Sequence, residues 1–320
     1  MFYDDAGRTT RHLPRLALGR HGHWFVLLSL VLLAGCHLTG QGSFLHPKGP
    51  VAAEDRDLFL ITVILMLIVV VPVFVLTPLL AWRYRLGNHK AEYRPRWDFS
   101  PIHEIVVWGL PVVIVIALGL VTWKQTHRLD PYRSISSSSV PLQVQVIGLD
   151  WKWLFIYPHQ DIASVNQLVI PAGRPVHMNL TSDTVMVSLL IPELAGQIYA
   201  MAGMRTELNI LADRPGHFLG ENTQYNGRGF QNQRFPVVAM TPSGFDTWVK
   251  QVRTNGDLLN QARYAQLAKP STVPTSEMFK DVEPDLFYRV IGKYCPSCAA
   301  KLKQQDEGGD HPAEKRTDHD

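Results

Sequence analysis

The sequence has little of what marks disulfide-rich, metal-thiolate or nucleic-acid-binding proteins. Only 3 of its 320 residues are cysteine, too few for a disulfide scaffold or a four-thiolate metal site. Charged residues make up 18%, below the roughly 25% of ordinary soluble domains. The net charge of +3 is too mild for a nucleic-acid binder. Because 46% of the residues are hydrophobic, part of the chain is expected to avoid water.

Residues 1–35 have the order of a bacterial lipoprotein signal peptide. A basic segment precedes an apolar run at residues 24–33, which is too short to span a bilayer. The run ends in Leu33-Ala34-Gly35-Cys36, which resembles a lipobox, the motif whose cysteine thiol receives a diacylglycerol. The sequence therefore predicts cleavage after residue 35, lipidation of Cys36 and an external N-terminal segment at residues 36–57.

Two long uncharged runs predict a transmembrane hairpin with spans at residues 58–82 and 102–124. The uncharged runs themselves are 25 residues (58–82) and 19 residues (105–123) long, lengths that favour membrane helices over the alternative of buried core helices. The loop at residues 83–101 carries 5 Lys and Arg, against 2 and 3 on the outer flanks. This bias places the loop in the cytoplasm and the rest of the chain in the periplasm of a bacterial inner-membrane protein.

The periodicity changes after a linker at residues 125–139. Residues 140–242 contain short β-prone segments separated by Pro, Gly, Asn and Asp, a pattern typical of a sandwich or Greek-key barrel. The strands are expected at residues 140–149, 151–157, 167–170, 175–180, 185–191, 205–211, 217–219 and 236–240. Residues 243–269 predict a helix, with Ser243 as its cap and one apolar face. Residues 270–320 are expected to form a polar tail with one short helix near residues 285–293.

Several strings resemble subunit II of the haem-copper respiratory oxidases. They are Val107-Trp108-Gly109-Leu110-Pro111, Asp150-Trp151-Lys152-Trp153-Leu154-Phe155-Ile156-Tyr157, Ser188-Leu189-Leu190-Ile191-Pro192-Glu193-Leu194, Gln197-Ile198-Tyr199-Ala200-Met201-Ala202-Gly203-Met204 and Pro215-Gly216-His217-Phe218. The resemblance extends over residues 54–248. It implies a two-helix transmembrane hairpin, an all-β cupredoxin-like sandwich of Greek-key type and a C-terminal helix.

The cytochrome c oxidase branch of this family holds a two-copper centre in the sandwich, built from the soft ligands that suit copper. This sequence differs at all five side-chain ligand positions that the resemblance assigns. They are Val187 and Phe230 in place of His, Asn222 and Asn226 in place of Cys, and Gln233 in place of Met. No cysteine lies between Cys36 and Cys295, so a shifted alignment does not restore the thiolates. No metal is therefore expected on this chain.

The pattern resembles the quinol-oxidising branch of the family, the cytochrome bo-type ubiquinol oxidases. This resemblance implies a subunit, without catalytic residues of its own, of a complex that oxidises ubiquinol, reduces O₂ to water and translocates protons. Subunit I would carry the haems and copper. The implied partners are subunit I, the other oxidase subunits, membrane lipid and, through the complex, ubiquinol, but no nucleic acid. Two alternatives stay open: a copper-containing, electron-accepting subunit II of a cytochrome c oxidase, and a free-standing cupredoxin-like periplasmic lipoprotein.

Glu104 is the sharpest single candidate for a functional side chain. It lies beside His103 at the start of the second span, and an ionisable group at membrane depth is costly enough to indicate function. In the family that the sequence resembles, the matching Glu opens the proton path into subunit I. The alternative is an interfacial carboxylate paired with His103 or with the basic loop.

Cys295 and Cys298 form a Cys-Pro-Ser-Cys motif near the C-terminus. A disulfide is the expected state in an oxidising periplasm. The alternatives are a redox-active pair, half of a metal site, or no role for the two cysteines.

Overall fold

Two long apolar helices, α1 (Pro50–Arg83) and α2 (Pro101–Arg128), begin the described part of the chain. The computed structural model describes residues 43–88, 98–137, 139–272 and 275–308. The expected signal peptide with Cys36, and much of the expected cytoplasmic loop, lie outside these residues. Proline is the first residue of each helix, a position that needs no N–H donor. Both helices are long and apolar enough to cross a membrane.

The helices are longer than the expected spans at residues 58–82 and 102–124. The first helix starts eight residues earlier, at Pro50, and the second continues to Arg128. Continuing a helix past the hydrocarbon keeps its backbone groups hydrogen-bonded, so the polar flanking turns stay helical. Pro72 and Pro78 lie inside α1 without ending it.

The helices bury almost none of their side chains within this chain. Of the described helix residues, Ala52 in α1 and Ile114 in α2 are buried, whereas Phe74 is 74% exposed. An ion pair links the helices at the ends nearest the β domain, where Arg128 Nη2 lies 2.7 Å from Glu54 Oε1. The remaining apolar faces need lipid or other subunits to cover them.

Twelve strands in the described part of the chain form two mixed sheets. They are β1 (Leu142–Leu149), β2 (Lys152–Tyr157), β3 (Ile162–Val165), β4 (Leu168–Pro171), β5 (Val176–Ser182), β6 (Val187–Ile191), β7 (Ala195–Ala200), β8 (Thr206–Ile210), β9 (Gly216–Asn222), β10 (Arg234–Met240), β11 (Asp257–Leu258) and β12 (Glu277–Lys280). One sheet has the order β11-β12-β3-β2-β1-β5-β8, and the other has the order β4-β10-β9-β6-β7. Parallel pairing of β1 with β5, and of β10 with β4, is combined with antiparallel neighbours in both sheets.

All eight expected strands are present, as β1, β2, β4, β5, β6, β8, β9 and β10, with small changes at their ends. Strands β3, β7, β11 and β12 are not among the expected strands. β3 and β12 are only four residues long and carry no clear alternation. In β7 the central residues are partly exposed, which weakens the apolar signal.

The main core lies between the two sheets. Trp153, Phe155 and Tyr157 point into it from β2 and are fully buried. Leu154 and Ile156, which alternate with these three residues along β2, are also buried. Because successive side chains of a strand point to opposite faces, β2 must be covered on both sides.

The C-terminal segment covers the second side of β2. The prediction of a polar tail at residues 270–320 is therefore wrong. Strand β12 extends the larger sheet, and two helices follow, α5 (Leu286–Gly292) and α6 (Pro296–Glu307). Phe287 and Ile291 of α5 pack in a second core with Leu154 on the outer face of the sheet. Polar residues dominate the composition of this segment, but its few apolar side chains are spaced to face one way.

The single helix expected at residues 243–269 is divided into two. Helix α3 (Pro242–Asn255) buries Phe245 and Trp248 in the main core, which confirms the expected apolar face. Helix α4 (Gln261–Leu267) follows after β11. The cap of α3 is Thr241 rather than Ser243, because the Thr241 hydroxyl accepts the Gly244 N–H.

Candidate functional site

The loops at one end of the sandwich bring together three amide side chains from the expected ligand positions. Asn222 ends β9, Asn226 lies in the following loop, and Gln233 directly precedes β10. We refer to Asn222, Asn226 and Gln233 as the amide cluster. Gln233 is 1% exposed and Asn222 is 5% exposed, so their polar atoms must find partners within the protein.

Gln233 is the centre of the amide cluster. Its Oε1 accepts hydrogen bonds from Asn222 Nδ2 at 2.9 Å and from Asn226 Nδ2 at 2.8 Å. Its Nε2 donates to the carbonyl oxygens of Leu149 and Lys152 at 3.3 and 3.2 Å. One side chain therefore joins the β9–β10 loop to the turn between β1 and β2.

Asn222 connects the amide cluster to β6. Its Oδ1 accepts the Ser188 N–H at 2.9 Å and the Gln224 N–H at 3.0 Å. The side-chain oxygen of Asn222 therefore already accepts its two hydrogen bonds. In the same loop, Asn226 Oδ1 is buried and accepts no hydrogen bond from the described residues.

Apolar side chains occupy the two expected His positions. Val187 is fully buried and packs on Gly148, where a Cβ would lie 2.4 Å from Val187 Cγ2. Phe230 lies instead in a 3₁₀ turn and contacts Tyr225, with ring centroids 5.7 Å apart. Neither position therefore offers a nitrogen or sulfur side-chain atom to a metal.

These residues do not fit a two-copper centre. Such a centre needs bridging thiolates and imidazoles, whereas the side chains present are amides that hydrogen-bond each other, a valine and a phenylalanine. No group of three or more His, Cys, Asp or Glu suited to a metal occurs among the described residues. The chemistry of the donor set argues against copper here.

Trp151 covers the loop that contains Asn226. Its indole lies on Gly229, where a Cβ would be 2.2 Å from the ring, and its Nε1 donates to the Asn226 carbonyl at 3.1 Å. The backbone of Trp151 is left-handed, with φ of 64°, a conformation that is unfavourable for a bulky residue. The turn between β1 and β2 thus holds the Trp151 indole against the loop that contains Asn226.

Lys152 lies next to the amide cluster and ties the sheet to the C-terminal segment. Its side chain is buried, and Nζ donates to the Lys269 carbonyl at 2.8 Å and to Ser271 Oγ at 2.8 Å. Burial lowers the pKa of Lys152, an effect that the nearby carboxylate of Asp150 opposes. The hydrogen bonds to oxygen atoms compensate for the lost hydration of the ammonium group.

Glu104 lies in the first turn of α2, at the opposite end of the helix from the β domain. Its Oε2 accepts a hydrogen bond from Trp108 Nε1 at 3.0 Å. The neighbouring His103 has its Nδ1 2.8 Å from Ser100 Oγ.

The two C-terminal cysteines are joined by a disulfide at the start of α6. Cys295 is the N-cap of the helix, and its Sγ accepts the Cys298 N–H at 3.3 Å. The pair lies far from the amide cluster in sequence and belongs to the outer layer of the sandwich.

A buried ionic cluster, which the sequence does not predict, links α6 to Arg205 beside β8. Arg205 Nη1 lies 2.8 Å from Asp306 Oδ1, and Arg205 Nη2 lies 3.3 Å from Glu207 Oε1. The Tyr288 hydroxyl also donates to Asp306, and burial, with Asp306, raises the pKa of this phenol. Sequence offered no signal for the cluster, because Asp306 lies in a charged stretch that reads as solvent-exposed.

Two family models match the β domain and the segment after it. Residues 159–241 match the model described as cytochrome c oxidase subunit II, periplasmic domain, and residues 253–297 match the COX aromatic-rich motif. The second match covers most of the segment that forms the outer layer.

Curated relatives match most of the chain. The cytochrome bo(3) ubiquinol oxidase subunit 2 of Pseudomonas putida is 46% identical over 83% of this chain and 84% of its own length. The ubiquinol oxidase subunit 2 of Acetobacter aceti is 45% identical over 84% of this chain and 86% of its own length. Among solved structures, the periplasmic domain of cytochrome oxidase subunit II of Bradyrhizobium japonicum matches with 20% identity and a TM-score of 0.34, covering 36% of this chain and 96% of that one.

Proposed function

The chain belongs to the subunit II family of ubiquinol oxidases, and we propose that it works there without a redox metal of its own. Ubiquinol is soluble in the membrane, so its electrons need no relay through a periplasmic domain. The haems and copper are then held by subunit I. The observation that carries this proposal is the amide cluster, in which Gln233 binds Asn222 and Asn226 where a copper centre would need thiolates and a thioether.

The donor specificity of the purified complex tests this proposal. We expect O₂ consumption with ubiquinol and none above background with reduced cytochrome c. Metal analysis should find copper in the complex but none on this chain once it is separated under mild conditions. Turnover with cytochrome c, together with the near-infrared absorbance of a two-copper centre, would support the cytochrome c oxidase alternative. A chain that purifies alone, without a haem-bearing subunit, would support the free-standing lipoprotein.

We further propose that Glu104 admits protons to the complex, which would also translocate protons across the membrane. The position of Glu104 in the first turn of α2 supports this role, because it puts a carboxyl group at the mouth of an apolar span. The contact with Trp108 also supports it. An indole N–H donates but cannot accept, so Trp108 orients the carboxylate without competing for its proton.

The proposed topology puts the loop between α1 and α2 in the cytoplasm and the sandwich in the periplasm. The basic residues of the loop support this orientation. A disulfide between Cys295 and Cys298 supports it too, because disulfides persist in the periplasm. We propose in addition that residues 1–35 are removed and that Cys36 carries a lipid, which would attach the N-terminus to the same side of the membrane as the sandwich.

A further inference from the structure

A cavity lies where the two long helices meet the β domain. Its volume is about 450 Å³. Its walls come from the first turns of α1, from the segment that follows α2, and from strands β7 and β8. We call it the junction cavity. Apolar groups, among them Val51, Ile135 and Leu208, line part of it, so it is suited to an amphiphilic ligand.

The junction cavity lies at the depth of lipid headgroups. Asp55 precedes the uncharged run of α1 by three residues, which is about 4.5 Å along a helix. Arg128 follows the uncharged run of α2 by five residues, or about 7.5 Å. The headgroup region on each side of a bilayer is roughly 5–7.5 Å thick. Both sides of the cavity are therefore at headgroup level when the helices cross the membrane.

Two charged side chains that line the junction cavity have no ion-pair partner among the described residues. Glu54 and Arg128 are paired with each other at 2.7 Å. Asp55 is half-buried and its Oδ2 faces Gly196, where a Cβ would be 3.5 Å away, but it has no cation beside it. Arg133, which lines the same cavity, is exposed and forms no ion pair with another described residue; its backbone N–H binds the carbonyl of Asp130, whose carboxylate accepts the Tyr132 N–H. The Asp55 carboxylate and the Arg133 guanidinium are thus available to a ligand of the cavity.

We propose that the junction cavity binds the headgroup of a phosphatidylethanolamine-type lipid. The Asp55 carboxylate accepts hydrogen bonds from the primary ammonium group, and the Arg133 guanidinium binds the phosphate. Phosphatidylcholine fits less well, because its quaternary ammonium has no N–H to donate. Phosphatidylglycerol fits less well, because it has no cation for Asp55. The apolar wall then contacts the glycerol end of the acyl chains.

Native mass spectrometry of the intact oxidase complex tests this site. The complex is reconstituted with phosphatidylethanolamine, phosphatidylglycerol or phosphatidylcholine, and the lipid retained after detergent dilution is counted. The wild-type complex should retain one more phosphatidylethanolamine than Asp55→Asn or Arg133→Gln. Each variant should weaken retention about tenfold, the effect of losing one charge-assisted hydrogen bond. Arg133→Lys keeps the cation and should retain the lipid.

Asp57→Asn is the matched control, because Asp57 is exposed, pairs with Arg56 at 2.7 Å and does not line the cavity. It should leave retention unchanged. Equal retention in wild type and Asp55→Asn contradicts the proposal, as does equal retention of the three lipids. If a variant does not assemble, the wild-type complex is cross-linked with a phosphatidylethanolamine that is photoreactive near the glycerol. Cross-links to residues 50–55 or 128–136 support the site, and their absence there contradicts it.

Discussion

Glu104 can be singled out from the sequence alone, whereas the amide cluster can be recognised only in the structure. A carboxyl group at the mouth of an apolar span is recognisable in sequence, because its cost in the membrane is high. The structure adds the partner, Trp108, one helical turn away. The amide cluster is the reverse case. Sequence identified Gln233 only as a residue that is not methionine, whereas its four hydrogen bonds depend on the turn between β1 and β2.

Replacing Glu104 tests the proposed proton uptake. We expect Glu104→Gln and Glu104→Ala to slow ubiquinol oxidation by about tenfold or more, because a positioned proton-transfer group contributes at least that much. The assembled complex and its haem spectrum should be unchanged. Asp98→Asn is the control, since Asp98 is an exposed carboxylate three residues before the same helix. Normal turnover of both Glu104 variants would refute the role.

Helix α6 is held by a largely buried ion pair as well as by apolar contacts with the second core. Its own residues are mostly polar, and Ala299 is its buried apolar residue. Asp306 binds Arg205, whose side chain is 6% exposed, and it also accepts the Tyr288 hydroxyl. Composition predicted a solvated tail here because apolar periodicity is weak. Asp306 gives Arg205, which also lies 3.3 Å from Glu207, a second carboxylate partner.

Asp306→Asn should loosen α6 without unfolding the sandwich. Removing one partner of a largely buried ion pair costs about 2–3 kcal/mol, less than for a fully buried pair because Asp306 is 20% exposed. Hydrogen exchange of α6 amides should speed up accordingly, while β1 and β2 stay protected. Glu307→Gln changes a neighbouring carboxylate that is 67% exposed and should have no measurable effect. If both variants exchange alike, the buried pair is not what holds the helix.

Over residues 43–308, as far as the structure describes them, the molecule is an amphiphile in three parts: a helical hairpin, a two-sheet sandwich and a C-terminal layer on the larger sheet. The hairpin exposes apolar side chains over most of its length, and the sandwich buries them between its sheets. Arg128 and Glu54 connect the two helices where hairpin and sandwich meet. This division requires that one part of the chain be in lipid and the other in water.

Cysteine chemistry tests the proposed sidedness of the whole chain. In spheroplasts, a membrane-impermeant maleimide should label Cys295 and Cys298 only after a reductant is added. Cys36 should stay unlabelled and should incorporate a radioactive fatty acid, and Cys36→Ala should abolish that incorporation. Cys298→Ala is the control, because it should keep the lipid label and make Cys295 reactive without reductant. Labelling only after the cells are lysed would place the sandwich in the cytoplasm.

The sequence by itself determined the two spans, eight of the strands and the residue types at the expected ligand positions, because each of these is a local property of the chain. Uncharged length decides whether a helix can lie in lipid, alternation decides which residues of a strand face the core, and the residue at a ligand position decides its donor atoms. The tertiary structure alone decided which groups meet. Gln233 with Asn226, Arg205 with Asp306, and Asp55 with Arg133 around one cavity are brought together by pairing between distant segments. A sequence pattern shows that one face of a helix or strand will be buried. Which other element covers that face depends on how all the elements of the chain pack together.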